Sequence, residues 1–241
     1  VGAAAERNRV TFLLATPTFL QFYYRGCSAE QFRNVRTVVT GAEKLPERLA
    51  KAFEKKFGVR PVEGYGATEL SPVAAGNIPP DRAPQADQES CREGTIGRPL
   101  PGVSAKTVDP ETGDDLGVNQ PGMLLIRGAN VMKEYLGRPE ETAKVFRDGW
   151  YVTGDIAVID DDGLIRLTGR YSRFAKLAGE MVPLDGVQAA ILEVLQQDTA
   201  EPQVVVVSVT DARRGDRLVV VHTAMEDPPA GSCRRWIERD L

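Results

Sequence analysis

Two short strings constrain this chain more than any other feature: Tyr65-Gly66-Ala67-Thr68-Glu69 and, well downstream, Asp148-Gly149-Trp150-Tyr151-Val152-Thr153-Gly154-Asp155. Each joins glycines, which let backbone turn tightly or approach a ligand, to side chains suited to nucleotides. In the first, an aromatic face can stack on a purine, the Thr68 hydroxyl can reach a phosphate, and the Glu69 carboxylate can hold Mg2+ through oxygen. In the second, Asp155 follows Thr153-Gly154 at the expected end of a strand, where a carboxylate can accept hydrogen bonds from both hydroxyls of a ribose. The blander alternatives are a Gly-rich strand-to-loop turn for the first string, and a turn aspartate ahead of a strand starting at Ile156 for the second. Gly64-x-Gly66 imitates the opening of a dinucleotide fingerprint. Glu69 stands where its third glycine belongs and no helical pattern follows at once, which excludes a Rossmann site.

The texture of the chain changes twice. Residues 10–14 and 35–39 predict short strands; Leu49, Ala52, Phe53 and Phe57 then fall on one face of a helix opened by Pro46 and closed by Gly58, and residues 60–63 resume the extended pattern. This order predicts a parallel α/β layer over residues 1–93. From 94 to 170, alternating runs at 104–108, 123–127, 156–159 and 164–168 are broken by Pro-Gly, Thr-Gly and Asp-Gly turns, a β-rich pattern. Residues 171–241 predict a third region, with a boundary near Tyr171 and Ser172. There a helix carries Val187, Ala190, Ile191, Val194 and Leu195 on one stripe. Two β-branched runs, 204–209 and 218–221, follow, joined through 211–216 as a hairpin or short crossover. Residues 77–93, rich in Pro, Asp and Gln, predict an exposed loop.

Bulk properties exclude several classes. With 241 residues and 42% hydrophobic content the chain can bury a real core, as a soluble globular protein. A net charge of -4 supplies no basic stripe for nucleic acid. No apolar run approaches the ~18 residues that span a bilayer, and the start lacks the cationic and apolar regions of a signal peptide. Cys27, Cys91 and Cys233 are odd in number and widely spaced, the pattern of reduced thiols in a cytoplasmic protein. Both ends look cut, the first near a strand and the last inside a helix predicted over 233–241. The one histidine, His222, formally fits a His-x4-Asp acyltransferase pattern with Asp227. Its place at the end of a β-branched run argues coincidence, and no nucleophile elbow accompanies it.

The order of further strings is more specific than any one of them. Gly122 to Gly128 is followed by Val131-Met132 and Tyr135-Leu136, then by residues 148–155, then by Gly169-Arg170 and Lys176-Leu177-Ala178-Gly179-Glu180. This order resembles the second half of the acyl-adenylate-forming superfamily, which includes acyl-CoA and aryl-CoA synthetases, luciferases and peptide-synthetase adenylation domains. The resemblance implies the C-terminal part of that fold: the end of an α/β layer, a β-rich subdomain, and a truncated small α+β domain. It implies ATP and AMP as ligands with Mg2+ on Glu69, catalytic roles for Thr68 and Glu69, and nucleotide contacts from Tyr65, Gly66, Asp155 and Arg170. It also lays Gly41-Ala42-Glu43 against adenine, the helix start that the same string could open being the lesser alternative. Tyr171 and Ser172 become the hinge, and Gly179 leaves room for a pantetheine arm. Relatives often carry Asp or Lys where Ser172 stands, an acidic residue at Arg173, and Glu at Met123.

A narrower likeness, carried by 173–182 and 211–216, spans nearly the whole chain. It is to the acyl-acyl carrier protein synthetase half of the bacterial bifunctional 2-acylglycerophosphoethanolamine acyltransferase. It implies a fatty acid and acyl carrier protein, or coenzyme A, as partners, with a lysophospholipid as eventual acceptor and a parent protein at the inner face of the membrane. The family's Ser/Thr/Gly-rich phosphate loop and C-terminal Gly-Lys motif are missing from these residues. The expectation is an isolated chain that binds adenine nucleotides weakly and performs no ATP–pyrophosphate exchange. The alternative is a non-catalytic module that binds nucleotide or carrier protein.

Overall fold

The computed structural model describes residues 1–79, 82, 89–177, 180–194, 204–211 and 215–222. It forms two compact units, Val1–Thr168 and Gly169–Leu241. The first begins with a short helix α1 (Gly2–Arg7) and strand β1 (Phe12–Ala15). Helix α2 (Pro17–Gly26) follows, with proline at its first position and Thr16 accepting the Phe19 amide as its cap. Strand β2 (Thr37–Thr40), helix α3 (Glu47–Phe57) and strand β3 (Pro61–Tyr65) complete the predicted β-α-β order. Pro46 and a left-handed Gly58 bound α3 as expected. Its buried stripe is Leu49, Ala50, Phe53 and Phe57; Ala52, expected there, is only half-buried. Phe53 and Phe57 pack on Phe32, and with Leu20 and Val38 they form the core beneath the helices. Burying each such side chain contributes roughly 1.5–3 kcal/mol.

Strands β1, β2 and β3 are parallel, and β4 (Ala75–Gly76) and β5 (Arg98–Pro99) extend their sheet antiparallel. A second, antiparallel sheet follows, built from β6 (Val103–Val108), β7 (Gly122–Gly128), β9 (Trp150–Ile159) and β10 (Ile165–Arg170) in the order β10-β9-β7-β6. The short helix α4 (Pro139–Val145) and strand β8 (Phe146–Arg147) precede β9, and β8 pairs with it. All of Gly122 to Ile126 is buried on β7. The core here joins Leu124, Ile126, Tyr151, Ala157 and Ile165 of this sheet to Leu70 and Ala75 of the first sheet's loop and β4.

Two expectations need correction. The run at 156–159 is not a separate strand but the end of β9, which begins at Trp150. Residue Asn77, at the head of the predicted exposed loop, is buried: its amide donates to the carbonyls of Glu63 (3.1 Å) and Thr95 (2.6 Å) and accepts from the Arg92 amide (3.1 Å). An asparagine that replaces three backbone partners is worth burying, and polarity alone hid that.

In the second unit, β11 (Phe174–Leu177) pairs with β12 (Glu180–Pro183), and α5 (Leu184–Val194) lies on the hairpin of β13 (Val204–Asp211) and β14 (Gly215–His222). The pairing of β13 with β14 is antiparallel, which resolves the alternatives in favour of a hairpin. Leu195, Gly179, Cys233 and the helix expected over 233–241 lie outside the described residues.

Candidate nucleotide site

The C-terminal ends of neighbouring parallel strands lie side by side, so the loops after β2 and β3 emerge together, the usual place for a ligand in an open α/β sheet. After β3 the chain folds back on itself. The Ala74 amide donates to the Tyr65 carbonyl (2.9 Å), Leu70 is driven fully into the core, and Thr68–Leu70 make one tight turn. Gly66 is obligatory here: a Cβ on it would lie 1.7 Å from the Pro72 carbonyl oxygen. The result leaves Thr68 exposed and Glu69 half-buried at the lip of the loop.

The loop after β7 holds that lip. The Asn130 side-chain amide donates to the carbonyls of Leu70 and Val73 (3.0 Å each), and the Met132 amide donates to the Glu69 carbonyl (2.7 Å). The Tyr135 hydroxyl donates to Glu69 Oε1 at 2.7 Å. Keeping that proton beside a carboxylate pushes the Tyr135 phenol up to about 12. Sequence reasoning noted Met132 and Tyr135 only as members of an ordered pattern and gave them no task. Their signal was the spacing, but the chemistry appears only when Glu69 faces them.

Asp155 reaches the same site from the other sheet. Between Met123 and Leu125, two steps along β7 correspond to four along β9, from Ile156 to Val152. This bulge contains Thr153, Gly154 and Asp155, with Gly154 at φ +77°. A bulge breaks the in-out alternation and re-aims a side chain. Here it leaves Asp155, Ile156 and Ala157 buried in succession. Asp155 is thus neither at a strand end nor in a turn, as the sequence suggested. Thr153 fastens the bulge: its hydroxyl donates to the Leu124 carbonyl (2.8 Å) and accepts the Asp155 amide (3.0 Å). Tyr65 closes the gap between the two strings, its hydroxyl donating to Asp155 Oδ2 at 2.5 Å.

The remaining expected residues divide. Gly41 packs near the Gly64 carbonyl, and Ala42 sits in the left-handed region at φ +69°. Glu43 Oε2 accepts the hydroxyl (2.7 Å) and amide (3.3 Å) of Thr18 at the start of α2. The string begins no helix, because α3 starts at Glu47. Nearby, burial pushes the Glu63 carboxyl up, while the Leu45 amide that it accepts works against the shift. Arg170, Tyr171 and Ser172 belong to the second unit. There Arg173 grips Asp185 through Nε (2.9 Å) and Nη2 (2.7 Å) and donates to the Val206 carbonyl. His222 stands opposite Val204 in the hairpin.

This arrangement fits a Mg2+-nucleotide. Mg2+ is commonly held by one or two carboxylates plus phosphate and water, and Glu69 offers one carboxylate fixed by a phenol. Among the described residues no group of three or more His, Cys, Asp or Glu forms a protein-only metal cage.

Residues 2–136 match the family of AMP-binding enzymes, and the chain belongs to that family. It is 34% identical over 219 residues to the mitochondrial medium-chain acyl-CoA ligase ACSF2 of Mus musculus, covering 89% of this chain and 34% of that protein. It is 33% identical over 191 residues to 4-coumarate–CoA ligase 1 of Arabidopsis thaliana, covering 78% of this chain and 33% of the relative. The chain therefore spans about a third of the length of these curated relatives. Among solved structures it is similar to ATP-bound MatB from Rhodopseudomonas palustris, with a TM-score of 0.74 and 27% identity over 99% of this chain and 46% of that one. The fold is part of an adenylate-forming enzyme, as the motif order implied. No helix among the described residues is long and apolar enough to cross a membrane.

Proposed function

We propose that these residues supply much of the nucleotide pocket of an AMP-forming acid–thiol ligase, which activates a carboxylic acid as its adenylate and passes the acyl group to a thiol. One observation carries this reading: the Tyr65–Asp155 hydrogen bond and the Tyr135–Glu69 hydrogen bond draw separate strings of the sequence into one site. Asp155 is the acceptor for the ribose hydroxyls, Tyr65 and Gly41-Ala42-Glu43 border the adenine, and Thr68 with the Gly66 backbone faces the α-phosphate. Glu69 holds Mg2+, which when bound offsets phosphate charge; Tyr135 fixes the carboxylate's direction. Arg170 contacts the nucleotide, and Tyr171 and Ser172 let the 171–241 region turn against residues 1–93 and 94–170 for the second half-reaction, with Gly179 beside the pantetheine arm.

The acid is a fatty acid and the acceptor is coenzyme A or acyl carrier protein. Support for coenzyme A is the acid–CoA ligase names of the relatives. Support for the carrier protein, and for reacylation of 2-acylglycerophosphoethanolamine at the cytoplasmic membrane face, is the likeness over 173–182 and 211–216. The test is acid-dependent ATP–pyrophosphate exchange by the full reading frame that encodes this segment, followed by thioester formation with each thiol. Exchange that needs a fatty acid, and that Asp155→Ala abolishes, is expected. Exchange without acid, or unchanged by Asp155→Ala, would overturn the assignment.

A further inference from the structure

The loop that carries Thr68 and Glu69 is held on one side by burial and on the other by a single side chain. Leu70 is fully buried, and the next residue, Ser71, adopts the left-handed region at φ +52° although it is not glycine, its amide closing the tight turn on the Thr68 carbonyl (3.3 Å). Such a residue stays in that region only where its surroundings hold it there. Asn130 does so: its Nδ2 donates to the carbonyls of Leu70 and Val73, 3.0 Å each, one on either side of Ser71 and Pro72. Both partners are acceptors, so only the amino end of the amide can face them.

The other end of that amide is left over. Asn130 Oδ1 is buried and has no hydrogen-bond partner among the described residues. A Cβ on Gly128 would fall 2.7 Å from it, so the glycine makes its room, and the Val131 amide closes the turn on the Gly128 carbonyl (3.2 Å). A buried acceptor without a partner costs stability, and a chain that retains one here gives up stability for the position of the loop. The same segment makes two contacts with Glu69 itself, from the Met132 amide to its carbonyl (2.7 Å) and from the Tyr135 hydroxyl to Oε1 (2.7 Å). The Tyr135 amide is in turn tied to Thr142 Oγ1 (3.0 Å) in α4. Main chain and side chain of Glu69 are thus both set by the segment that Asn130 locks to the loop.

We infer that Asn130 is a positioning residue: by pinning the carbonyls of Leu70 and Val73 it sets Glu69 in register with Tyr135, so that the carboxylate is already aimed when a divalent cation and a triphosphate arrive. The inference rests on the ligase reading above and adds to it a residue that acts through Glu69 rather than on the nucleotide.

The test compares Asn130→Ala with Asn77→Ala, which also deprives two carbonyls, those of Glu63 and Thr95, of a buried asparagine but lies outside the 66–73 loop. In the 241-residue chain, hydrogen exchange is measured at the Met132 and Leu70 amides, which donate to the Glu69 and Ala67 carbonyls, against amides inside β7. Asn130→Ala should speed Met132 and Leu70 about tenfold or more relative to β7, the scale of one or two hydrogen bonds, and Asn77→Ala should not. Acid-dependent ATP–pyrophosphate exchange by the full reading frame supplies the second readout. There Asn130→Ala should raise the Mg2+ concentration for half-maximal exchange about tenfold, with the rate at saturating Mg2+ falling less, whereas Asn77→Ala should leave that concentration where it was. An unchanged Mg2+ requirement, an equal rise in both variants, or Met132 exchange that stays in step with β7 overturns the proposal. Absence of exchange from the unaltered reading frame sinks the ligase reading instead, and the amide rates of the 241-residue chain still decide what Asn130 holds.

Discussion

Gly66→Ala should cost far more than one added methyl group suggests. The new Cβ would lie 1.7 Å from the Pro72 carbonyl oxygen, 2.7 Å from its carbon and 2.9 Å from Val73 Cα, all of them backbone atoms that cannot rotate aside. Relief requires the 66–73 loop to lift off β3, which breaks the Ala74–Tyr65 hydrogen bond (2.9 Å) and withdraws Leu70, now fully buried. One hydrogen bond at about 1 kcal/mol and part of a leucine's burial at roughly 1.5–3 kcal/mol place the loss at about 3 kcal/mol. Gly76→Ala, with nothing within 4 Å, and Gly64→Ala, with ordinary contacts from 3.4 Å, are the controls in the same sheet. Each should change stability by less than about 1 kcal/mol. Because the chain has two units, the assay is hydrogen exchange of β3 and β7 amides across a urea series rather than a single global signal. If Gly66→Ala and Gly76→Ala proved equally mild, the close packing of this loop on its own strand would be refuted.

Tyr135→Phe should lower the stability of the first unit by about 1–2 kcal/mol at neutral pH, through loss of a hydrogen bond to a charged group at a half-buried site. The folded phenol titrates near 12 against an ordinary 10, so the folded state keeps its proton longer and stability falls as pH rises between those values. The gap between wild type and Tyr135→Phe should therefore close in that window; urea midpoints at stepped pH would show it, and a constant gap would contradict it. Asn77→Ala strips partners from the Glu63 and Thr95 carbonyls and the Arg92 amide, and should cost about 2–4 kcal/mol by urea denaturation. Asp155→Asn should weaken AMP binding about tenfold or more by calorimetry while sparing free adenine, and equal losses for both ligands would remove Asp155 from the ribose.

Strong local patterns carried much of the fold into the sequence. Periodicity placed most of the α3 stripe and the two β-branched runs, and Pro46 and Gly58 marked the helix ends; that the runs pair as a hairpin rather than through a crossover came from the structure. Helix α2 was missed because Phe19 and Phe22 stay exposed opposite buried Leu20, which blurs its two faces, although Thr16-Pro17 marks its start. The site was legible as a set of residue types but not as an arrangement. Nothing local to Asp155 announces a bulge, since the extra residues are defined only against β7. Likewise Tyr135 meets Glu69 and Tyr65 meets Asp155 across long stretches of chain, and Glu43 finds Thr18 as a partner only when α2 exists.

The phenol on Asp155 divides the labour between folding and recognition. A carboxylate with 5% exposure has already lost most of its water, and the loss has been offset by Tyr65 and by the tertiary structure that brings β3 to β9. On the proposed assignment of Asp155 to the ribose, an incoming diol would exchange partners at a group that is already dry instead of stripping a hydrated one. Reorganisation is moved out of the binding event and into the folded state, so damage to either sheet should surface as lost nucleotide affinity even where no residue touching the nucleotide has changed.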